Sequence, residues 1–441
     1  MSSNSKTGQG LPPDVRMRGF ASRTSVTAAL RWIDSAAEQL DSESVPLTAA
    51  TGRVLSAAIA SRVDVPAFDR SMMDGYALQA AAVQGASPYH RLRLKVVGQS
   101  LPGRPFRGAV AWGEAVQIAT GAPVPAGADA ILPAELAEPC DFSSSPSDPA
   151  VATTARPAPG DHLPGAIWAL GDVAQGKHLG LVGEDIHHGD PLLAAGRVLR
   201  PQDVGLVASI GRQSVDVVRR PRVQLVITGS ELAPVGMPAE RFQIYDANGP
   251  MLQALAERDG GEVLPWRLAG DDQAPLRSAL AGPADVVLVS GGSSVGPEDE
   301  APRVLAECGE LSIHGVAMRP SSPSGMGRVA ERLVFLLPGN PVSCLSAYDF
   351  FAGRAIRLLG GRSAQWPYRA VVLPLARKLV SELGRVDYCR VRVVDGVVEP
   401  LAVGGAAVLS STTRADGFVI VPEASEGFPA GATVEVLLYD R

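Results

Sequence analysis

Cysteine is scarce: the 441-residue chain has 4, Cys140, Cys308, Cys344 and Cys389, far apart and without a CxxC pair. That spacing argues against a zinc knuckle and against a disulfide framework, and it fits a reducing, cytoplasmic setting. Long apolar runs are also missing: no uninterrupted stretch approaches the roughly 20 residues of a membrane helix, so no membrane partner is expected. Net charge is −6 and no long basic run occurs, which disfavours nucleic acid as a partner. Met1 to Arg18 contain Gly10, Pro12 and Pro13 but no apolar core of a secretory signal, and a mobile tail is expected there. What is present, 46% hydrophobic and 20% charged residues, belongs to a folded chain of several domains.

Val26, Leu30, Ile33, Ala37 and Leu40 recur at helical spacing behind Thr24 or Ser25 as N-cap, and a second short helical segment is expected around Leu47 to Val54. Asp64-Val-Pro-Ala-Phe-Asp-Arg-Ser-Met-Met-Asp-Gly-Tyr-Ala77 follows, interrupted by Pro66 and Gly75. Its acids suit either a functional turn or a capped loop in which Asp69 and Asp74 bond local backbone N–H groups. Short Val/Leu/Ile segments then alternate with Gly- and Pro-bearing turns, the pattern of an all-β module, with a surface loop or hairpin tip expected from Pro139 to Pro164. Gly183-Glu-Asp-Ile-His-His-Gly-Asp190 is the next polar cluster. Adjacent His187 and His188 point in different directions on most backbones and lack a third ligand nearby, so Glu184 and Asp185 are read as lining a site and not as ligating a transition metal.

From Arg222 strands and helices alternate. Strands are expected at Val223 to Ile227, Val263 to Leu268, Val286 to Val289, Leu311 to Met318 and Val334 to Leu337, with helices between them, including Asn248 to Arg258. This predicts a mostly parallel sheet covered on both faces, with its site beyond the carboxyl strand ends. Thr228-Gly-Ser-Glu231, Asp271, Asp299 and Pro338-Gly-Asn-Pro341 all fall there. After Tyr368 short strands return, and Asp395-Gly396 between two valine runs is a hairpin signal, so a small β-barrel or sandwich is expected.

Asp285 to Asp299 is the stretch around which the chain is organised. An apolar strand ends in Ser290-Gly291-Gly292-Ser293, a small, donor-rich loop suited to an anion, and Glu298, Asp299 and Glu300 follow at once. Gly292 to Gly296 also fits G-x-S-x-G, with Ser294 as a hydrolase nucleophile. Pro297 and three acids stand where that elbow needs a helix, and the one downstream histidine, His314, lies inside an expected strand.

Asp64 to Ala77, Thr120-Gly-Ala-Pro-Val-Pro125, Gly183-Glu-Asp185, Thr228-Gly-Ser-Glu-Leu232, Ser290-Gly-Gly-Ser-Ser-Val-Gly296 and Leu337-Pro-Gly-Asn-Pro341 together resemble the ordered motif set of the molybdopterin molybdotransferase family, which includes the gephyrin E domain. Each motif alone is weak, whereas the set in this order is specific; it runs from about residue 20 to the C-terminus. The resemblance implies a multidomain α/β plus β protein: a three-layer α/β/α mostly parallel-sheet domain (201–365), an inserted all-β module (66–165), a C-terminal β-barrel (366–441), and a helical and extended linking domain (19–65 and 166–200) behind the tail (1–18). It further implies an elongated homodimer that takes adenylylated molybdopterin, hydrolyses its adenylate in a molybdate- and Mg²⁺-dependent reaction, and inserts molybdenum. The active cleft is shared between subunits, with Asp74 the acid contributed across the dimer. Asp185, Glu231, Asp271 and Asp299 match acidic site positions, and Arg319 aligns with a catalytic lysine. A divergent paralogue that binds pterin without catalysis, or handles tungstate, is the alternative.

Elementary electrostatics agrees with this assignment. Substrate phosphate and molybdate are anions, so carboxylates serve them through a hard cation or as proton acceptors, and Glu231, Asp271 and Asp299 are the candidate Mg²⁺ ligands. Thr228, Gly229, Ser290 to Ser293 and the Pro338 to Pro341 turn are the candidate substrate contacts, with Gly291, Gly292 and the turn supplying backbone donors. The chain departs from the family where Lys-Pro-Gly-Lys-Pro is common: Arg319-Pro-Ser-Ser-Pro323 stands there, with Gly315 and Ser230 also in place of charged residues. Positive charge is thereby reduced, since Arg319 keeps one cation and Ser322 loses another.

Overall fold

In the computed structural model of the chain, which describes residues 20, 22–140, 163–269, 272–292, 300–402 and 405–439, every residue of the strand Val286–Ser290 is buried. It pairs in parallel with Arg222–Ile227 on one side and Arg332–Leu337 on the other. Glu262–Val263 extends the sheet beyond Arg222–Ile227, while Gly325–Val329 and Glu310–His314 complete the opposite side through antiparallel pairings. Alternate residues face opposite layers. Leu225, Leu288 and Phe335 pack with Leu252, Ile356 and Ile33, whereas Val226, Val287 and Val334 pack with Leu276, Leu280 and Leu305. Helices therefore cover both faces, and each buried Val or Leu contributes roughly 1.5–3 kcal/mol.

The helices carry their own start signals. Ser25 Oγ accepts the Ala28 N–H at 3.2 Å and opens the helix Val26–Ala36, while Asp272 caps Gln273–Ala281. Asp285 anchors the start of the central strand by a two-pronged pair with Arg219, both bonds 2.8 Å. Burial alone raises its pKa, but Arg219 and the Arg222 N–H hold this carboxyl below the usual range.

Three local expectations are revised. The segment after Leu47 is a single 3-10 turn, Leu47–Ala49. The expected strand Leu311 to Met318 divides at Gly315, whose φ is +88°: Glu310–His314 stays in the sheet, and Met318–Arg319 leaves to pair in parallel with Val386–Val394. Gly325–Val329 escapes a reading by apolar alternation because Gly325 and Gly327 interrupt it. The glycine is needed there, since a Cβ on Gly327 would lie 2.0 Å from the Glu310 carbonyl oxygen.

Arg369–Pro374, Thr433–Leu438, Gly417–Val421, Val386–Val394 and Val397–Ala402 form the C-terminal sheet in that order. A bridge from Leu375 to Val398, with the Ala376 N–H donating to the Val398 carbonyl at 2.8 Å, joins its two ends around a core that includes Cys389, Val391, Val419 and Val436. Asp395 and Gly396 take φ of 48° and 76°, the left-handed pair that the tight hairpin requires.

Two compact units divide the chain, one comprising residues 58–194 and 201–213 and the other the remainder. The first is built on a six-stranded sheet ordered Ala130–Pro133, Gly75–Leu78, Glu114–Ile118, Leu92–Ser100, Ala166–Ala169 and Ala137–Cys140. Ala166–Ala169, expected in the linking domain from the resemblance, pairs with two strands of this sheet, and the helix Pro201–Ser209 falls in the same unit. The N-terminal tail and most of the loop expected from Pro139 to Pro164 lie outside the described residues. No helix among the described residues is long and apolar enough to cross a membrane.

Candidate active site

Three adjacent parallel strands deliver their carboxyl ends to one place: Arg222–Ile227 ends at Thr228, Val286–Ser290 at Gly291, and Arg332–Leu337 at Pro338. A cleft of about 520 Å³ opens beyond them, lined by Thr228, Gly229, Glu231, Ser290, Gly291, Gly292, Pro338, Gly339, Asn340 and Pro341, together with Tyr245, Asp246, Asn248, Pro323 and Ala407. Residues separated by more than a hundred positions in the chain meet because parallel strands align their ends.

The loops are tied to one another before any ligand arrives. Gly291 takes φ +95° and sits where a Cβ would be 2.3 Å from the Thr228 carbonyl oxygen, so no other residue fits without displacing backbone. Asn248, at the start of the helix Asn248–Arg258, donates from Nδ2 to Ser290 Oγ at 2.9 Å and to the Gly339 carbonyl at 2.7 Å, clamping two of the three loops. The Thr228 N–H donates to the Ser290 carbonyl at 2.9 Å, and the Gly291 N–H to the Leu337 carbonyl at 3.3 Å. Two of the expected substrate contacts line the cleft with polar groups already bonded within the fold. Gly291 has spent its N–H inside the fold, and the buried Ser290 hydroxyl faces Asn248 and, at 3.7 Å, Cys344 Sγ. Burial pushes the Cys344 thiol up to about 12, so it is an inert packing group.

Of the expected acids, Glu231 is exposed in the cleft wall and folds back over its own loop. Gly229 makes this fit, because with φ +144° a Cβ there would lie 2.6 Å from Glu231 Oε2. Asp246, which the sequence reading did not single out, is a second, buried acid in the lining; its Oδ1 accepts the Gly249 N–H at 2.9 Å. Asp271, Ser293, Ser294 and Asp299 lie outside the described residues. Among the described residues no three His, Cys, Asp or Glu side chains gather to hold a metal.

Asp74 and Asp185 belong to the other compact unit. Asp74 Oδ1 accepts the Thr120 N–H at 2.8 Å and its hydroxyl at 3.0 Å, and the exposed Asp185 is held by its own N–H on the Val65 carbonyl at 3.0 Å. Arg319 is absent from the described cleft lining. Its Nε donates to Asp387 Oδ1 at 3.0 Å and its Nη2 bonds the other oxygen of that fully buried carboxylate, with Glu382 3.7 Å from Nη1. Arg319, the cation expected to be catalytic, thus shares Asp387 and Glu382 with Arg385 at the C-terminal sheet.

A second hollow, of about 700 Å³, is lined by Arg390, Arg392, Arg414, Ser411 and Asp416 with Leu401, Gly405 and Val408. It adjoins the cleft through the segment 405–408: Ala407 lines the cleft, Gly405 and Val408 line the hollow, and the Ala406 carbonyl accepts the Val342 N–H at 3.0 Å. Three arginines and one carboxylate, Asp416, surround this hollow, so its lining carries an excess of positive charge.

Residues 24–211 match the family described as MoeA N-terminal region (domain I and II), residues 224–357 the probable molybdopterin binding domain, and residues 372–439 the MoeA C-terminal region (domain IV). Molybdopterin molybdenumtransferase 2 of Mycobacterium tuberculosis is 33% identical over 89% of this chain and 94% of its own length. The chain belongs to the MoeA family. It is therefore a transferase of molybdenum cofactor biosynthesis. A molybdopterin molybdenumtransferase of Haemophilus influenzae is 30% identical over 89% of this chain and 93% of its own. The crystal structure of a molybdopterin biosynthesis MoeA protein from Pyrococcus horikosii, 30% identical, covers 95% of this chain and 100% of that one with a TM-score of 0.76.

Family membership leaves three groups that the motifs did not announce. Asn248 and Asp246 bracket a helix start, where an Asp-x-Asn pair before a glycine is a local signal of a polar helix entry. The arginines of the hollow sit two residues apart on one strand and at the C-cap of a separate short helix, a spacing that conveys nothing until the sheet curls.

Proposed function

We propose that the cleft takes adenylylated molybdopterin, releases its adenylate and presents the dithiolene for molybdenum insertion, with Mg²⁺ required. The observation that carries this reading is the convergence of Thr228–Glu231, Ser290–Gly292 and Pro338–Pro341 at three neighbouring strand ends. Glycines at 229, 291, 292 and 339 leave a surface on which flat pterin and phosphate approach the backbone closely. Asn248 holds that surface in shape by bonding two loops at once, so little reorganisation accompanies binding.

Glu231 fits a Mg²⁺ site in chemistry and exposure, as an outward carboxylate folded over Gly229 and a hard oxygen donor; Asp271 and Asp299 complete the proposed ligand set. Bound there, Mg²⁺ supplies charge neutralisation to phosphate oxygens. The arginine-lined hollow next to the cleft suits the second oxyanion, molybdate, and segment 405–408 separates the two. We assign Asp74 to completion of the cleft across a homodimer, in the cytoplasm, and Asp185 to the acidic positions of the site.

The test is AMP release from adenylylated molybdopterin by the purified protein, with and without Mg²⁺, and with molybdate or tungstate. Release that requires Mg²⁺ and molybdate is expected; Mg²⁺-independent release refutes the metal assignment, and tungstate preference moves the reading to a tungsten enzyme. Mixed dimers of Asp74→Ala and Asp299→Asn chains should regain part of the release lost in each homodimer. No recovery in verified mixed dimers removes the shared cleft.

A further inference from the structure

The cleft lacks a cation of its own: among its described lining residues there are two carboxylates, Glu231 and Asp246, and no lysine or arginine. Its rim includes Pro323, the last residue of the Arg319–Pro323 loop. Arg319 is engaged by the buried Asp387 and by Glu382. The other cation on this loop comes from elsewhere in the chain. Arg23 Nε donates to Ser322 Oγ at 2.7 Å, immediately beside Pro323, and its guanidinium lies 5.8 Å from the centre of the Phe20 ring. Arg23 is exposed, and among the described residues it has no carboxylate partner.

The segment that carries Arg23 is held by several independent contacts. Thr24 bridges Val316 in parallel, with the Thr24 N–H on the Gly315 carbonyl at 2.9 Å and the Ala317 N–H on the Thr24 carbonyl at 2.8 Å. Phe20 meets the His314 ring edge to face at 4.9 Å between centroids. Room for Phe20 exists because residue 315 is glycine: at φ +88°, a Cβ there would lie 2.6 Å from Phe20 Cδ1. Ser25 then caps the helix Val26–Ala36, whose inner face is buried, so the approach of Arg23 is fixed from both sides. A hydroxyl at 322 and the missing side chain at 315 are thus the two points that admit the segment and its charge.

We infer that Arg23, docked on Ser322, is the cation of the cleft rim and binds a tetrahedral oxyanion of the substrates, phosphate or molybdate. This rests on the proposed reaction for the identity of the anion, and on the geometry alone for the residue. A guanidinium with one N–H committed to a neutral hydroxyl leaves its charge uncompensated and keeps further donors for an oxyanion, whereas the charge of one paired to carboxylates is compensated by them.

Binding of pyrophosphate and of molybdate, each alone, to the full-length protein by titration calorimetry reads the role without requiring turnover. Arg23→Gln retains a donor for Ser322 but not the charge, and Arg23→Lys retains the charge. We expect Arg23→Gln to weaken one of the two anions about tenfold, Arg23→Lys to stay within about threefold of the native protein, and the affected anion to identify which substrate oxyanion the rim holds. In AMP release the same loss is expected in KM with kcat nearly unchanged. Equal affinities of the native protein and Arg23→Gln for both anions overturn the inference while leaving the proposed reaction standing. A native protein that binds anions through Arg23 but releases no AMP overturns the reaction and leaves the inference.

Discussion

Two groups of charges lie in the same unit and are treated in opposite ways. Behind the sheet, the buried Asp259, Asp349 and Arg357 and the half-buried Arg258 are matched against one another. Asp259 accepts from Arg258 Nη2 at 2.9 Å and from Tyr348 Oη at 3.0 Å, with Arg357 Nη1 3.1 Å away, and Asp349 accepts from Tyr368 Oη at 2.9 Å. Gly353 leaves room for this, because a Cβ there would stand 2.6 Å from Asp259 Oδ2. At the cleft, Glu231 and Arg23 are exposed, and neither has an opposite charge against it among the described residues. Charge taken out of water must be compensated internally or the fold is lost, whereas charge left uncompensated at a rim remains available to a ligand.

The contrast is breakable. Asp259→Ala strands Arg357 in the core and should lower unfolding free energy by about 3–5 kcal/mol in urea denaturation, the cost of an uncompensated buried charge. A loss no larger than that of an ordinary surface substitution would show that the buried set is dispensable. Glu231→Gln should do the reverse, leaving the urea midpoint unchanged while AMP release at saturating Mg²⁺ falls by on the order of a hundredfold. A shifted midpoint with unchanged release would make Glu231 a structural residue.

The smallest effect concerns pH. Burial raises the Asp349 carboxyl from 3.8 to about 6, against the opposing pull of Arg258 and Tyr368. A folded-state pKa above the unfolded one means that the contribution of this group is fully present below pH 3.8 and is lost as pH rises through about 6. Stability of the native protein relative to Asp349→Asn should therefore decline between those limits and level off above them. Parallel stability curves for the two proteins across that range contradict the assignment.

Much of the sheet is legible because its causes are local. Val286 to Val289 is apolar at successive positions, as a doubly covered strand demands, and Asn248 to Arg258 has helical composition behind a polar entry. The glycine-bearing ends were equally visible, since Gly229 and Gly291 occupy conformations that side chains resist. What the motifs conveyed was which loops meet, through their resemblance to a family, and the cleft brings Thr228, Ser290 and Pro338 together. At Gly291 and Ser290 the sequence did not show that the N–H and the hydroxyl already have partners within the fold. A loop rich in donors looks available until the neighbours that consume those donors are in place.

By itself, then, the sequence determined the strands, the order of the site loops, the family and the scarcity of lysine round the cleft. Tertiary structure alone decided where positive charge is delivered. Arg319 is engaged by Asp387, its register partner on the neighbouring parallel strand of the C-terminal sheet, while Arg23 reaches Ser322 across 299 positions of chain. Arg390, Arg392 and Arg414 gather only when the C-terminal strands curl. Strand and turn formation depend on neighbours along the chain, but the net charge felt by a ligand depends on every group within a few ångströms, and most of those are distant in sequence.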